Sequence, residues 1–454
     1  MSARSRAAGL AAAVLVSVLL LAFVPVVGVP LALLLVIAAV IRFPGAVVAL
    51  SWTGFWLYLG ALDLLGVHTR TVYTVGAYGA VAIGLGLFVW SRRDVLRRRA
   101  ASAPRGTRIW AAVAALLAAA FVIGAAVVGD GPLAHRLLGV FLISTIPAAI
   151  AAASMTRRDL EEARAALVVI GLGFVAVNLI AARHGAPPVG RFSPIASLDP
   201  ITASLVSTIG CVAALTYRPR SRLGVVLQAV VASVLAAGAM INGSRGPVVA
   251  LIGVVILALV LHRRAAMFVV GLAVVVGIAV GSKLEVNLIG QPPALSSLAH
   301  ETRHPARPEQ PSVTSVPISS LHIRREWFMS ALRQIPDKPI VGHGVGMLVD
   351  DTPEATAMDI KGTLVYPHND VIEAFYSLGV VGGLLFVAFA ALPIAILWQH
   401  RRRNEEPEML FATLLFAFAF LQGNFSGEIG TDVILWSTAA FAVVALGDRN
   451  RARS

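Results

Sequence analysis

Apolar residues run along this chain in long blocks, each closed by a short cluster of charged or turn-forming residues. A helix needs about 20 mostly apolar residues to cross a bilayer, and somewhat fewer where flanking arginines reach back to the interface. On that measure the chain predicts spans near 9–24, 28–41, 45–62, 72–90, 110–128, 137–153, 165–182, 201–217, 223–241, 247–261, 266–281, 371–398, 409–422 and 433–447. The first two, bracketed by Pro25 and Pro30, also fit a single hairpin that dips into the membrane, since proline breaks the helical ladder. The expected fold class is therefore all-α, a polytopic transmembrane helix bundle of about 12–14 spans. One long interruption divides it. Residues 1–281 form an N-terminal bundle of about 11 spans, 282–370 a loop, and 371–454 about three spans with a short basic tail.

Composition strengthens this picture. The chain is 57% hydrophobic and 13% charged, against about 45–50% and about 25% in soluble domains, which excludes a water-soluble fold. The run after Arg4 and Arg6 continues to Phe23 without a small-residue cleavage site, so it is expected to stay as a first span. The single cysteine, Cys211, lies in an apolar run, which leaves no intrachain disulfide or cysteine metal site.

Charge then orients the bundle. With a cytoplasmic N terminus, 24 of the 37 Lys and Arg fall in inner segments, including seven arginines from Arg92 to Arg108. Of the other 13, eight lie in the long loop and five in all the short outer turns. The positive-inside rule counts short loops, so both termini are expected in the cytoplasm and the long loop outside. The net charge of +13 is thereby a topology signal, and short arginine clusters at helix ends argue against a nucleic-acid partner.

Three outer places carry chemistry. Ile241-Asn242-Gly243-Ser244-Arg245-Gly246-Pro247 holds an arginine in a tight turn, either an interfacial cation among lipid headgroups or a fixed anion ligand. The long loop opens with a proline-rich tether from Gln291 to Pro317. It continues as an amphipathic helix over 321–335, apolar at Leu321, Trp327, Phe328, Ala331, Leu332 and Ile335 and basic at Arg324, Arg325 and Arg333. A glycine-rich stretch follows, Pro339-Ile340-Val341-Gly342-His343-Gly344-Val345-Gly346, which fits a tight reversal better than a phosphate cradle. The loop ends at Tyr366-Pro367-His368-Asn369-Asp370, where His368 and Asn369 precede Gly379 and Gly382 in the spacing H-N-x9-G-x-x-G. Asn369 and Glu373 stand four residues apart, on one helix face.

Many spans, a Ser-Arg-Gly turn, an arginine shortly before Trp327, the glycine-rich stretch and H-N-x9-G-x-x-G together resemble the O-antigen ligase and polymerase superfamily. The likeness lies over roughly 225–400. Two departures are His343 between the glycines, where a small or apolar residue is more usual, and a doubled arginine that leaves Arg324 and Arg325 indistinguishable.

The resemblance implies a metal-independent membrane glycosyltransferase that takes a glycan from a polyprenyl diphosphate carrier, without a cofactor. The residues suit that chemistry. Arginine stays charged and presents a planar fork to a diphosphate leaving group, which points to Arg245 with Arg324 or Arg325. An imidazole near pKa 6.5 can take a proton from an acceptor hydroxyl, which points to His368, with Asn369, Glu373 and His343 as substrate-binding neighbours. Displacement at the anomeric carbon with inversion is expected. No Asp-x-Asp pair lies on the outer side, and Asp350-Asp351 is expected to be a solvated cluster. Glu428 and Asp432 could form a second polar wall or cap helices. The acceptor remains open: one terminal hydroxyl on a glycan, lipid or protein makes a ligase, another lipid-linked repeat a polymerase. A lipid-linked sugar flippase is the alternative class, disfavoured because few charges lie within the spans and no internal repeat is visible.

Overall fold

A computed structural model of the protein describes residues 42–53, 70–129, 131–183, 200–241, 244–261, 265–289, 320–349, 364–365, 367–399, 407–426, 429 and 432–451. The expected early pair of spans, the proline-rich tether, Asn242, Gly243, Asp350, Asp351, Tyr366 and Glu428 lie outside the described residues.

The architecture is an all-α polytopic membrane bundle. Its helices are α1 (Arg70–Ser91), α2 (Arg93–Ala101), α3 (Arg105–Ile123), α4 (Pro132–Val140), α5 (Ile146–Ser154), α6 (Arg157–Arg183) and α7 (Pro200–Leu215). They continue as α8 (Arg222–Ile241), α9 (Arg245–Leu261), α10 (Ala265–Ile289), α11 (Ser320–Gln334), α12 (Asp370–Gln399), α13 (Pro407–Ser426) and α14 (Val433–Arg451). Two antiparallel strands of two residues each, β1 (Leu348–Val349) and β2 (Leu364–Val365), pair Leu348 with Val365.

Among the described residues six helical rods are long and apolar enough to cross a membrane: Arg105–Val128, Leu133–Ser154, Arg222–Ile241, Ala266–Lys283, Asp370–Gln399 and Pro407–Phe425. Four shorter apolar helices stand among them, Val81–Ser91, Ser204–Leu215, Arg245–Leu261 and Val433–Val444. Side chains on outward faces, such as Leu87, Leu223, Val260 and Phe268, stay exposed, as hydrocarbon-facing positions should. Between helices the packing relies on small residues. A Cβ on Gly277 of α10 would collide with the backbone at Ser233 of α8, so this pair approaches as closely as backbones allow.

Alternating helix directions collect Arg92, Arg157, Arg158, Arg164, Arg218, Arg220 and Arg222 at one end. That end is tied by Arg92, which donates to Asp159 through Nε (3.0 Å) and Nη2 (2.6 Å). Asp159 is almost fully buried and also accepts from Thr156 N (2.8 Å) and Oγ1 (2.7 Å). Residues 320–349, 367–370, 429 and 432 gather at the opposite end.

There α12 is broken. Gly379 has φ 69° and ψ −174°, a backbone region open essentially only to glycine. The break frees backbone groups that a continuous helix would pair, and the glycine-rich turn after α11 occupies them. His343 N donates to Tyr376 O (2.8 Å), Gly344 N to Ser377 O (3.1 Å), and Val380 N to Pro339 O (2.7 Å). Val345 N reaches Gly124 O (3.3 Å), at the start of the π-turn Gly124–Val128 that ends α3. These amide groups are therefore consumed by the protein, and the turn is a docking plug, not a phosphate cradle.

Gly379→Ala should cost about 1–3 kcal/mol for the backbone region alone, and more because the new Cβ would strike the Ile340 carbonyl. Gly86→Ala, in open space on a helix, should be neutral or stabilising by up to about 1 kcal/mol. Unfolding of both variants in detergent checks this, and a Gly379→Ala protein as stable as wild type would contradict it.

Candidate functional site

Helix α11 lies against α12 through a small core of its own. Ala331, Leu348 and Tyr376 are buried there, with Trp327, Ile335 and Ile372 packed around them. Arg325, Leu332 and Arg333 face away and are exposed. Arg324 and Trp327, three residues apart, share a face of α11. Trp327 stacks on the His368 ring at 5.4 Å between centroids and 19° between planes. Arg324 Nη1 donates to Phe425 O (3.3 Å), at the end of α13.

His368 is held in a strained backbone. Among the described residues it alone, apart from glycines, has a positive φ, at 55°. Burial, and after it the positive charge of Arg324, lower its imidazole to about 3. The ring is therefore neutral at every physiological pH.

Behind it Asn369 caps α12. Its Oδ1 accepts from Ile372 N (3.0 Å) and its Nδ2 donates to Asn424 O (3.2 Å). Glu373, one turn on, is buried and accepts from Ile429 N (3.2 Å), while Trp436 Nε1 donates to Ile429 O (3.0 Å). Both backbone groups of Ile429 are thus held, tying this residue to the start of α12 and to α14. Asp432 caps α14 by accepting from Leu435 N (2.8 Å). The carboxylates of Asp370 and Asp432 converge on Gly423, where any side chain would meet both. Burial holds the Asp432 carboxyl above the usual carboxylate range.

The remaining candidates stand further out. Arg245 is the first residue of α9 and is exposed. Gly253 of α9 packs on Leu421 of α13. Eight residues at about 1.5 Å each place Arg245 about 12 Å along α9 from Gly253. His343 is engaged in the turn: Nε2 bonds Gln334 O at 2.8 Å and the ring stacks on Tyr376 at 4.6 Å and 5°.

The structure therefore brings His368, Asn369, Glu373 and Arg324 to one place. Arg245 lies on the same end of the bundle, Arg325 is exposed on α11, and His343 lies within the plug. Sequence reasoning missed the stacking role of Trp327 and the meeting of Asp370 with Asp432. For Trp327 the signal was its spacing from Arg324; for the carboxylates the contact is purely tertiary.

Residues 229–387 match the family model described as O-antigen ligase. The chain is also 31% identical over 105 residues to a Pseudomonas aeruginosa protein named O-antigen ligase. That alignment takes in 23% of this chain and 24% of the relative, so the chain covers about a quarter of the relative's length. Both findings support the O-antigen ligase superfamily. The O-antigen ligase match begins within α8 and ends within α12, and it encloses Arg245, Arg324, Arg325, His343, His368, Asn369 and Glu373.

Trp327→Ala should open the imidazole to water. Because burial is the larger cause of its lowered value, the His368 ring should then titrate well above 3, toward 6.5. Histidine ring NMR across pH reads this directly, and an unmoved His368 signal would count against the stacking account.

Proposed function

We propose that the protein is a glycosyltransferase of the O-antigen ligase kind, working at the extracytoplasmic face of the cytoplasmic membrane with both termini inside. It transfers a glycan from a polyprenyl diphosphate carrier to an acceptor hydroxyl in cell-surface polysaccharide or glycoconjugate synthesis. The observation that carries this reading is His368, neutral and stacked, beside the Arg324 cation in the H-N-x9-G-x-x-G setting.

The chemistry follows from the arrangement. The acceptor oxygen attacks the anomeric carbon as the bond from that carbon to the diphosphate oxygen breaks, so the configuration inverts. His368 takes the hydroxyl proton. Arg324 and Arg245 stabilise the departing diphosphate by charge-assisted hydrogen bonds, with no metal in the step. Burial is the larger cause of the lowered His368 and the Arg324 charge the smaller; diphosphate bound at Arg324 offsets the second, so donor binding shifts the base part of the way back. Arg325, on the exposed side of α11, adds a second cation along the approach to the donor. Asn369 and Glu373 hold the start of α12 and the turn at Ile429 as walls for the substrate. His343 is assigned to holding the plug beneath the site, not to direct substrate contact.

The test is transfer from a polyprenyl diphosphate oligosaccharide to candidate acceptors, in chelator. His368→Ala should lose about 10²- to 10⁴-fold in rate, as removal of a general base does, and Arg245→Ala should also fall. A single addition marks a ligase and a product ladder a polymerase. Undiminished transfer by both variants would sink the assignment.

A further inference from the structure

At the arginine-rich end, the turn between α7 and α8 is firmly built. Gln228 Nε2 donates to the carbonyls of Ala214 (2.8 Å), Leu215 (3.3 Å) and Tyr217 (2.9 Å), which closes the end of α7. Arg164 of α6 lies over the Tyr217 ring at 4.3 Å and reaches Thr216 O at 3.5 Å. Beside this clamp opens a cavity of about 350 Å³ between α6 and α8. Val168, Leu227 and Val231 form its apolar wall, with Arg218 and Gln228 at its polar edge.

The surroundings have two characters. Outward along α8, Leu223, Val226, Leu227 and Val230 are each more than half exposed, a strip that hydrocarbon must cover. Arg218 lines the edge of the cleft, Arg220 and Arg222 follow it as exposed residues of the same turn, and no carboxylate occurs in the sequence between Tyr217 and Val231. A basic rim above an apolar cleft between membrane helices is complementary to an anionic headgroup on an acyl chain.

We propose that this cleft binds one anionic glycerophospholipid, with its phosphate among Arg218, Arg220 and Arg222 and an acyl chain along Leu227 and Val231. The site lies at the end of the bundle opposite His368 and does not depend on the transfer reaction. Its occupant fastens the α7–α8 turn to the bilayer and fills a gap that helix packing leaves open.

The test uses full-length protein in nanodiscs of phosphatidylcholine with a minor fraction of phosphatidylglycerol, followed by native mass spectrometry of retained lipid. Wild type should keep one phosphatidylglycerol in preference to phosphatidylcholine. Replacing Arg218, Arg220 and Arg222 by Gln should weaken retention roughly fivefold per arginine removed. Leu227→Trp, which fills the cleft and leaves the arginines, should also lose the lipid. Arg97→Gln with Arg98→Gln, exposed at the same end on α2, should retain it. Equal loss in that control, or equal retention of phosphatidylcholine, would overturn the proposal.

Discussion

The hydrogen bonds between the broken helix α12 and the glycine-rich turn are the interaction on which the candidate site depends. A helix interrupted inside a membrane bundle leaves carbonyl and amide groups that water cannot reach, and each must find a partner in the protein. Here Tyr376, Ser377 and Val380 find theirs on His343, Gly344 and Pro339. The turn is thereby locked in place, and with it α11, which precedes the turn by a few residues. Trp327 and Arg324 ride on α11 and arrive over His368, eleven residues upstream of the break and two before α12 begins. The glycines at 342, 344, 346 and 379 all adopt positive φ, so the spacing that marks the motif is a requirement of this lock.

The electrostatics of the site follow from how the lock is covered. Trp327 and the surrounding backbone bury the His368 ring, and Arg324 adds a cation beside it. Both effects favour the neutral imidazole. In the proposed reaction the same guanidinium would meet the diphosphate, which links donor binding to the proton affinity of His368. Opposite, the carboxylates of Asp370 and Asp432 face Gly423 in a space too small for any side chain. The site is thus basic on the α11 side and acidic toward α13 and α14.

Much of the fold was legible because membrane helices announce themselves by length and hydropathy. The predicted spans from 72–90 onward fall on helices, and the segment with Leu321 and Trp327 falls on α11. Of the site, His368, Asn369, Glu373 and Arg324 could be named together because the motif and the loop place them near one helix start. Choosing between Arg324 and Arg325 could not be done from one sequence, since adjacent residues on a helix differ by about 100° in direction and only packing says which faces inward. The value expected for His368, near 6.5, also missed: burial under Trp327 is a tertiary effect with no local signature. His343 looked like a ligand between glycines, yet its ring serves the turn through Gln334 and Tyr376.

The proposed transfer requires a carrier diphosphate to sit between Arg324 and Arg245. A cryo-EM structure of the protein with a non-transferable polyprenyl diphosphate glycan tests this most directly. The diphosphate should lie between Arg324 and Arg245, with His368 within about 2.6–3.2 Å of an acceptor hydroxyl or its water substitute. A diphosphate bound away from both arginines, or an imidazole turned from the anomeric carbon, would contradict it.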